Sequence, residues 1–265
     1  MKRLLYALAD GHVIAKRNVI KIKRVPEVLV FVIISPIMFV LLFAYVFGSS
    51  IDIPGGSYRE FLIGGIFAQT VIFGATFTGA GIADDMQKGI INRFRSLPMS
   101  RSAVLIGRTA SDVIYNVISL FIMALTGLLV GWRVHNGILD TVLGFALLLA
   151  FAYAFSWIMA YVGLLVPSVE VINNASFLVI FPLTFIANTF VPSENLPGVL
   201  RTFAEWNPVS AVTQAVRELF GNLPAGTPEP TVWPLENPVL YTAIWIVVIV
   251  AVFLPLSVRR YARAK

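Results

Sequence analysis

The sequence predicts an all-α polytopic membrane protein. Its expected parts are six transmembrane helices, an N-terminal interfacial amphipathic helix, a short cytoplasmic helix and outer re-entrant helices before the last span. Three observations carry this. Of 265 residues, 58% are hydrophobic and only 13% are charged, with a mean hydropathy of +0.83, well outside globular usage. The Lys and Arg gather near the two termini and in one internal loop, with long apolar runs between. The net charge of +6 then fits cations that set membrane orientation, with no call for nucleic acid. There is no cysteine, hence no disulfide framework, thiol nucleophile or cysteine metal site.

Residues 1–25 interleave Lys2, Arg3, Lys16, Arg17, Lys21, Lys23 and Arg24 with Leu4, Leu5, Leu8, Val13, Ile14, Val19 and Ile22. Such a segment lies in the headgroup layer as a helix, its cations near anionic lipid. A solvated basic tail is the alternative, but it leaves the leucines unexplained. No signal-peptide layout is present, because the apolar run begins only after residue 27 and no small-residue cleavage site follows. Pro26 turns the chain into a first span at 27–48, kinked at Pro36. After a turn-rich loop, the second span (60–83) carries Gly64, Gly65, Gly74, Gly79 and Gly81, small residues that let helices approach closely in lipid.

The third and fourth spans are expected at 104–131 and 138–166, separated by a short loop. The fifth, 171–191, is diluted by Asn173, Asn174, Pro182 and Asn188, and on hydropathy alone it reads equally as a re-entrant loop. Charge parity favours a span. The sixth, 239–257, is followed by Arg259, Arg260, Arg263 and Lys265, and six crossings bring both basic termini to the side of the 84–108 loop. Only Arg59, Arg133, Arg201 and Arg217 then remain outside. In the outer segment 192–238, Leu196, Val199, Leu200, Phe203 and Trp206 recur at helical spacing, as do Val209, Val212, Val216, Leu219 and Phe220. Asn207 can cap the second helix, with Pro208 at its first position and Gly221 past its end. Without an internal repeat, residues 1–265 read as one transmembrane unit.

The phosphate-cradling pattern is absent, since no Gly-Lys dipeptide occurs. Asp84-Asp85 lacks the further acid a metal site needs, and marks the inner end of the second span. His12 and His135 fall on opposite sides, neither with a partner evident in the sequence. Asp112 is an ionisable group inside a span, open to ion or proton coupling, but Arg108 one turn away favours structural pairing. The 84–108 loop exceeds a topology-setting linker. Ile90, Ile91, Phe94 and Leu97 form an apolar ridge flanked by Arg93 and Arg95, Pro98 stops the helix, and Ser100 can cap the next. Burying Phe94 and Leu97 in a partner's groove supplies about 1.5–3 kcal/mol each.

The stretch Asp85-Met86-Gln87-Lys88-Gly89 through Arg93-Phe94-Arg95-Ser96-Leu97-Pro98-Met99-Ser100-Arg101 to Gly107-Arg108 resembles type 2 ABC exporter permeases, the daunorubicin-resistance multidrug and lipid export type in particular. So do Phe190-Val191-Pro192 with Leu196-Pro197, Asn207-Pro208 and Ala215-Val216-Arg217, and the ending Leu254-Pro255-Leu256-Ser257-Val258-Arg259-Arg260-Tyr261. The resemblance covers nearly the whole chain. It implies that 84–103 is a coupling loop, with coupling to an ATP-binding subunit falling on Gly89, Arg93, Phe94, Arg95, Leu97 and Pro98. It further implies two permease copies, a homodimer ahead of a heterodimer, in the plasma (inner) membrane with both termini cytoplasmic. ATP and magnesium would sit on the partner subunit, this chain being a permease component with no cofactor and no ATPase motif of its own. The expected work is outward movement of an amphiphilic drug or lipid-linked cargo by alternating access. Gln69, Asn173, Asn174 and Asn188 are candidate pathway contacts, or equally interhelical glue. A passive channel or assembly scaffold is the alternative, and a lipid-modifying enzyme a further one, for which no converging acid, base or metal set is found.

Overall fold

The computed structural model describes residues 10–11, 13–18, 20, 26–47, 57–96, 102–166, 168–224 and 229–263. Among them every regular element is a helix, with no strand. Residues 10, 11, 13–18 and 20 are helical, as the interfacial helix requires; the rest of residues 1–25 lie outside the description. The first apolar helix, α1 (Pro26–Leu42), contains Pro36 and continues as a π-helical turn, Phe43–Phe47. Next come α2 (Tyr58–Gly74) and α3 (Thr76–Gln87), joined through Ala75 in right-handed helical geometry. They form one rod of 30 residues, about 45 Å at 1.5 Å per residue. The short α4 (Ile90–Ser96) precedes α5 (Ala103–Val130), α6 (Ile138–Gly163) and α7 (Val169–Phe185).

Among the described residues four helices are long and apolar enough to cross a membrane: Tyr58–Gln87, Ala103–Val130, Ile138–Gly163 and Pro238–Arg263; Ile33–Val46 and Val169–Phe185 are shorter apolar helices. The rod Tyr58–Gln87 is the centre, with 72% of its most apolar stretch buried against 17% for Pro238–Arg263. A helix apolar all round must be enclosed by others, and α2 is enclosed by α5, α6 and α9 (Pro208–Phe220). Its glycines make this possible. A Cβ on Gly163 of α6 would lie 2.6 Å from the Gly79 carbonyl oxygen, so α3 and α6 cross with their backbones in contact, as the small residues of the second span predict.

Helix α7 runs through Pro182 and stops at Phe185. At 17 residues it covers about 26 Å, short of the roughly 30 Å hydrocarbon layer. Residues 186–192 turn, and α8 (Gly198–Trp206) and α9 follow. Asn207 caps α9 as expected, its Oδ1 accepting from the Val209 N–H at 2.9 Å, with Pro208 first in the helix and Gly221 beyond it at φ 69°. The apolar side of α8 is open: Val199, Phe203 and Trp206 are 86%, 47% and 53% exposed. Such a face belongs in lipid or headgroups. The helix α9 is instead buried on nearly every side. The last elements are α10 (Trp233–Glu236) and α11 (Pro238–Arg263).

Candidate cargo cleft and coupling helix

At one end of the bundle, Gly89 adopts φ 66° and turns the chain from α3 into α4. That left-handed conformation is one only glycine takes at no cost. Ile91 is buried with Ile82, Val104, Leu105 and Tyr261, and Phe94 packs partly against the same cluster. The helix is also latched from the N-terminal segment. Arg17 donates to both oxygens of Asp85 at 3.0 and 3.3 Å, and its guanidinium lies 5.1 Å from the centre of the Phe94 ring. Lys88 pairs with Asp84 at 2.7 Å, one helical turn away. Arg93 is exposed. The side chain of Arg95 and residues Leu97, Pro98 and Ser100 lie outside the described residues. Since Tyr261 of α11 joins this cluster, the N-terminal stretch, the 84–96 segment and the end of α11 share one end of the bundle.

Midway along the central rod, a cleft of about 700 Å³ opens between α1, α2 and α7. Ser35, Pro36 and Phe39 line it from α1, Gln69, Thr70 and Phe73 from α2, and Phe177, Phe181 and Phe185 from α7. The α7 rings stack in series, at 4.9 Å from Phe177 to Phe181 and 4.0 Å from Phe181 to Phe185. Periodicity explains the row, because residues four apart share a helix face. Gln69 is 3% exposed and its Oε1 has no hydrogen-bond partner among the described residues. A buried acceptor left without a donor is costly, which sets this amide apart from the hydroxyls of Ser35, Thr70, Thr76 and Ser119 in a wall otherwise dominated by aromatic rings.

The other candidate polar residues fall elsewhere. Asn173 and Asn174 are exposed on α7, one turn before Phe177, and do not line the cleft. Asn188 is 4% exposed in the turn after α7, and its main chain rather than its side chain is engaged. Asp112 accepts from the Thr78 hydroxyl, its main-chain oxygen accepts from Asn116 Nδ2 at 2.9 Å, and Arg108 Nε lies 3.7 Å from its carboxylate. Arg108 also donates to the Phe77 carbonyl at 2.6 Å. The i,i+4 pairing is therefore present. His135, without an evident partner in the sequence, meets Glu60 at 3.0 Å, a contact between residues 75 positions apart.

Sequence reasoning gave Arg217 no role beyond its place in a motif. It is fully buried on α9 and donates to three carbonyls: Phe61 at 2.8 Å, Asn188 at 2.8 Å and Thr189 at 2.9 Å. Its guanidinium lies 3.4 Å from the centre of the Phe61 ring. No carboxylate pairs with it among the described residues. Burial pushes its pKa down to about 9, which leaves it a cation at neutral pH. The signal was available: Arg217 falls between Val216 and Phe220 on the apolar stripe of an amphipathic helix.

Known proteins share much of this sequence. The ABC-2 type transporter family profile matches residues 11–220. The chain is 32% identical over 245 residues, 92% of its length and 83% of the relative's, to the "Daunorubicin resistance ABC transporter permease protein DrrB1" of Streptomyces coeruleorubidus. It is 24% identical over 234 residues, 86% of its length and 80% of the relative's, to the "Probable doxorubicin resistance ABC transporter permease protein DrrC" of Mycobacterium tuberculosis. A profile match over most of the chain and a relative above 30% identity agree with the apolar helices of a transport permease, and the chain belongs to the ABC-2 type transporter family.

Proposed function

We propose that this chain is the membrane-embedded subunit of an ATP-driven exporter that takes an amphiphilic, ring-bearing or lipid-linked cargo into the α1–α2–α7 cleft and releases it outward. One observation carries the cargo reading: an aromatic cleft of about 700 Å³ whose wall holds a single buried amide oxygen without a donor, that of Gln69. Stacked rings favour flat or greasy solutes over hydrated ions, and the amide oxygen offers orientation to a cargo hydroxyl or amine. Six crossings, with α1 and α7 as the shorter two, place both termini in the cytoplasm of the inner membrane.

Power comes from a separate ATP-binding subunit carrying ATP and magnesium, docked on the α4 ridge. Gly89 sets the ridge's angle, Phe94 and Leu97 fill the partner's groove, Pro98 ends the helix, and Arg93 and Arg95 flank it. Two copies of the chain, identical in the simplest case, complete the pathway by alternating access. Asn173 and Asn174, exposed on α7 one turn before Phe177 and outside the cleft lining, meet cargo on its approach, before it enters the cleft. The relative named for daunorubicin resistance supports a drug-like cargo for this chain as well.

The test is affinity purification from the native membrane, wild type against Phe94→Ala/Arg95→Glu, with assay for a co-purifying ATPase. The wild type captures the ATPase and the normally inserted variant loses it. The captured complex, reconstituted in vesicles, then transports an aromatic amphiphile in an ATP-dependent way, and Gln69→Leu slows that transport. No ATPase under mild extraction, or inorganic ion flux without amphiphile transport, overturns the reading.

A further inference from the structure

We propose that Arg217 is a positioning residue for the outer gate of the cleft: it pins the 186–190 turn so that Phe190 closes the gap between α1 and α7. The inference rests on the cleft being the cargo path.

The need for a pin follows from the chain. Helix α7 ends at Phe185, and the 186–192 turn completes its crossing, so the last carbonyls of the helix and those of the turn have no helical partners. Helix α9 supplies them. Asn207 Nδ2 donates to the Leu183 carbonyl at 2.7 Å, Ser210 Oγ accepts from the Asn188 N–H at 3.0 Å, and Arg217 holds the Asn188 and Thr189 carbonyls together. A cation beside a helix C-terminus is favourably placed against the dipole. On the other side, the backbone of α2 touches the turn directly: a Cβ on Gly65 would lie 2.1 Å from the Thr189 oxygen. Tyr58 of α2 then donates its hydroxyl to the Phe190 carbonyl at 3.1 Å.

The pinned residue is the keystone of an aromatic arch. The Phe190 ring stacks on Phe43 beyond α1 at 4.7 Å and meets Phe185 of α7 at 4.8 Å. Phe43 in turn stacks on Phe39 at 5.0 Å. Phe39 and Phe185 line the cleft, so the arch seals it at the end where α8–α10 lie. Of the side chains that hold the turn, Arg217 binds two of its carbonyls and Tyr58 one, so release of the arginine frees the larger share. The carbonyls bound by Arg217 are neutral acceptors that water can replace once the turn lifts, whereas a carboxylate partner would have fixed the cation permanently. Packing alone does not ask for a charge here, since an apolar residue of similar volume serves a purely structural site as well or better.

The absence of native cysteine gives a direct test that needs neither cargo nor ATP. The full chain carries one cysteine at a time, Thr70→Cys in the cleft wall, Leu148→Cys in the closed core or Thr231→Cys on the outer surface. A membrane-impermeant thiosulfonate reagent is applied from outside. Arg217→Met and Phe190→Ala raise the labelling rate at position 70 at least tenfold over the parent and leave position 148 unlabelled. Arg217→Lys, which keeps the charge but not the three-carbonyl fork, falls between. An unchanged rate at position 70 overturns the proposal, and so does an equal rise at position 148, which signals general loosening. Position 231 labels in every background; its failure to do so refutes the outward placement of the gate. Failure of the cargo reading is seen separately, as absent transport by the wild type with a gate that still responds.

Discussion

Removing Arg17 should weaken docking of the ATP-binding subunit, although Arg17 lies 77 positions before Phe94 and outside the expected contact surface. Its side chain is 36% exposed and that of Asp85 10%, at a separation of 3.0 Å. An ion pair this open contributes about 0.2–1 kcal/mol, and the guanidinium over Phe94 adds about 0.5–1 kcal/mol. The latch is therefore worth about 1–2 kcal/mol in orienting α4 before the partner arrives. Losing it cuts the docking-competent fraction, and with it the apparent affinity, by a factor of about 5–30. Arg17→Ala forfeits both contacts and gives the larger loss. Asp85→Asn keeps the cation on the ring and gives about fivefold or less. The exchanged pair Arg17→Asp/Asp85→Arg restores the ion pair without the ring contact and recovers part of the loss. The assay is titration of the purified permease with the ATP-binding subunit, read as Kd. Dissociation constants within twofold of wild type for all three variants, each normally folded, would refute the latch.

Three further outcomes follow from the packing. Phe220 is fully buried among Phe67, Trp132 and Phe145, at 6.0, 5.4 and 5.0 Å between ring centres, so Phe220→Ala costs about 3–5 kcal/mol, measurable by denaturant unfolding in detergent; a cost under 1 kcal/mol contradicts the tight cluster. Gly65→Val drives a side chain into the Thr189 backbone and abolishes folded yield, while Gly198→Ala, with nothing within 4 Å of a new Cβ, is silent by the same fluorescence size-exclusion readout. Asp112→Leu strands the Arg108 cation and costs about 3–5 kcal/mol; Asp112→Asn keeps an acceptor for Thr78 and costs less than half of that in thermal melts, so equal losses would argue against the pairing.

Features written within one or two helical turns were legible in the sequence. The cap at Asn207, the stop at Gly221 and the Arg108–Asp112 pair need only residue type and spacing, because their partners lie within four or five positions. The aromatic wall was half legible. The four-residue spacing of Phe177, Phe181 and Phe185 lies in the chain, but its pairing with Phe39 and Phe73 depends on how three helices meet. Gln69 was found because a lone amide in an apolar run is conspicuous. Asn188 was chosen by the same logic, yet what the fold uses there is its peptide group, which every residue carries and no sequence pattern marks.

The place of Arg217 on the apolar stripe could be read, but what it holds could not, for a deeper reason. Topology counting treats an arginine as a cation that stays in water, and on that count Arg217 is simply one of the few left outside. The structure spends it differently, because a helix that stops a few residues short leaves carbonyls of the following turn without helical partners where the chain is buried. Its acceptors lie 28, 29 and 156 positions away, a separation that local periodicity cannot sense. The shortness of α7 and the burial of Arg217 are therefore one feature. A full-length fifth span would have bonded its own carbonyls and left the arginine only the Phe61 carbonyl to hold, and the Phe190 arch would have had no movable footing.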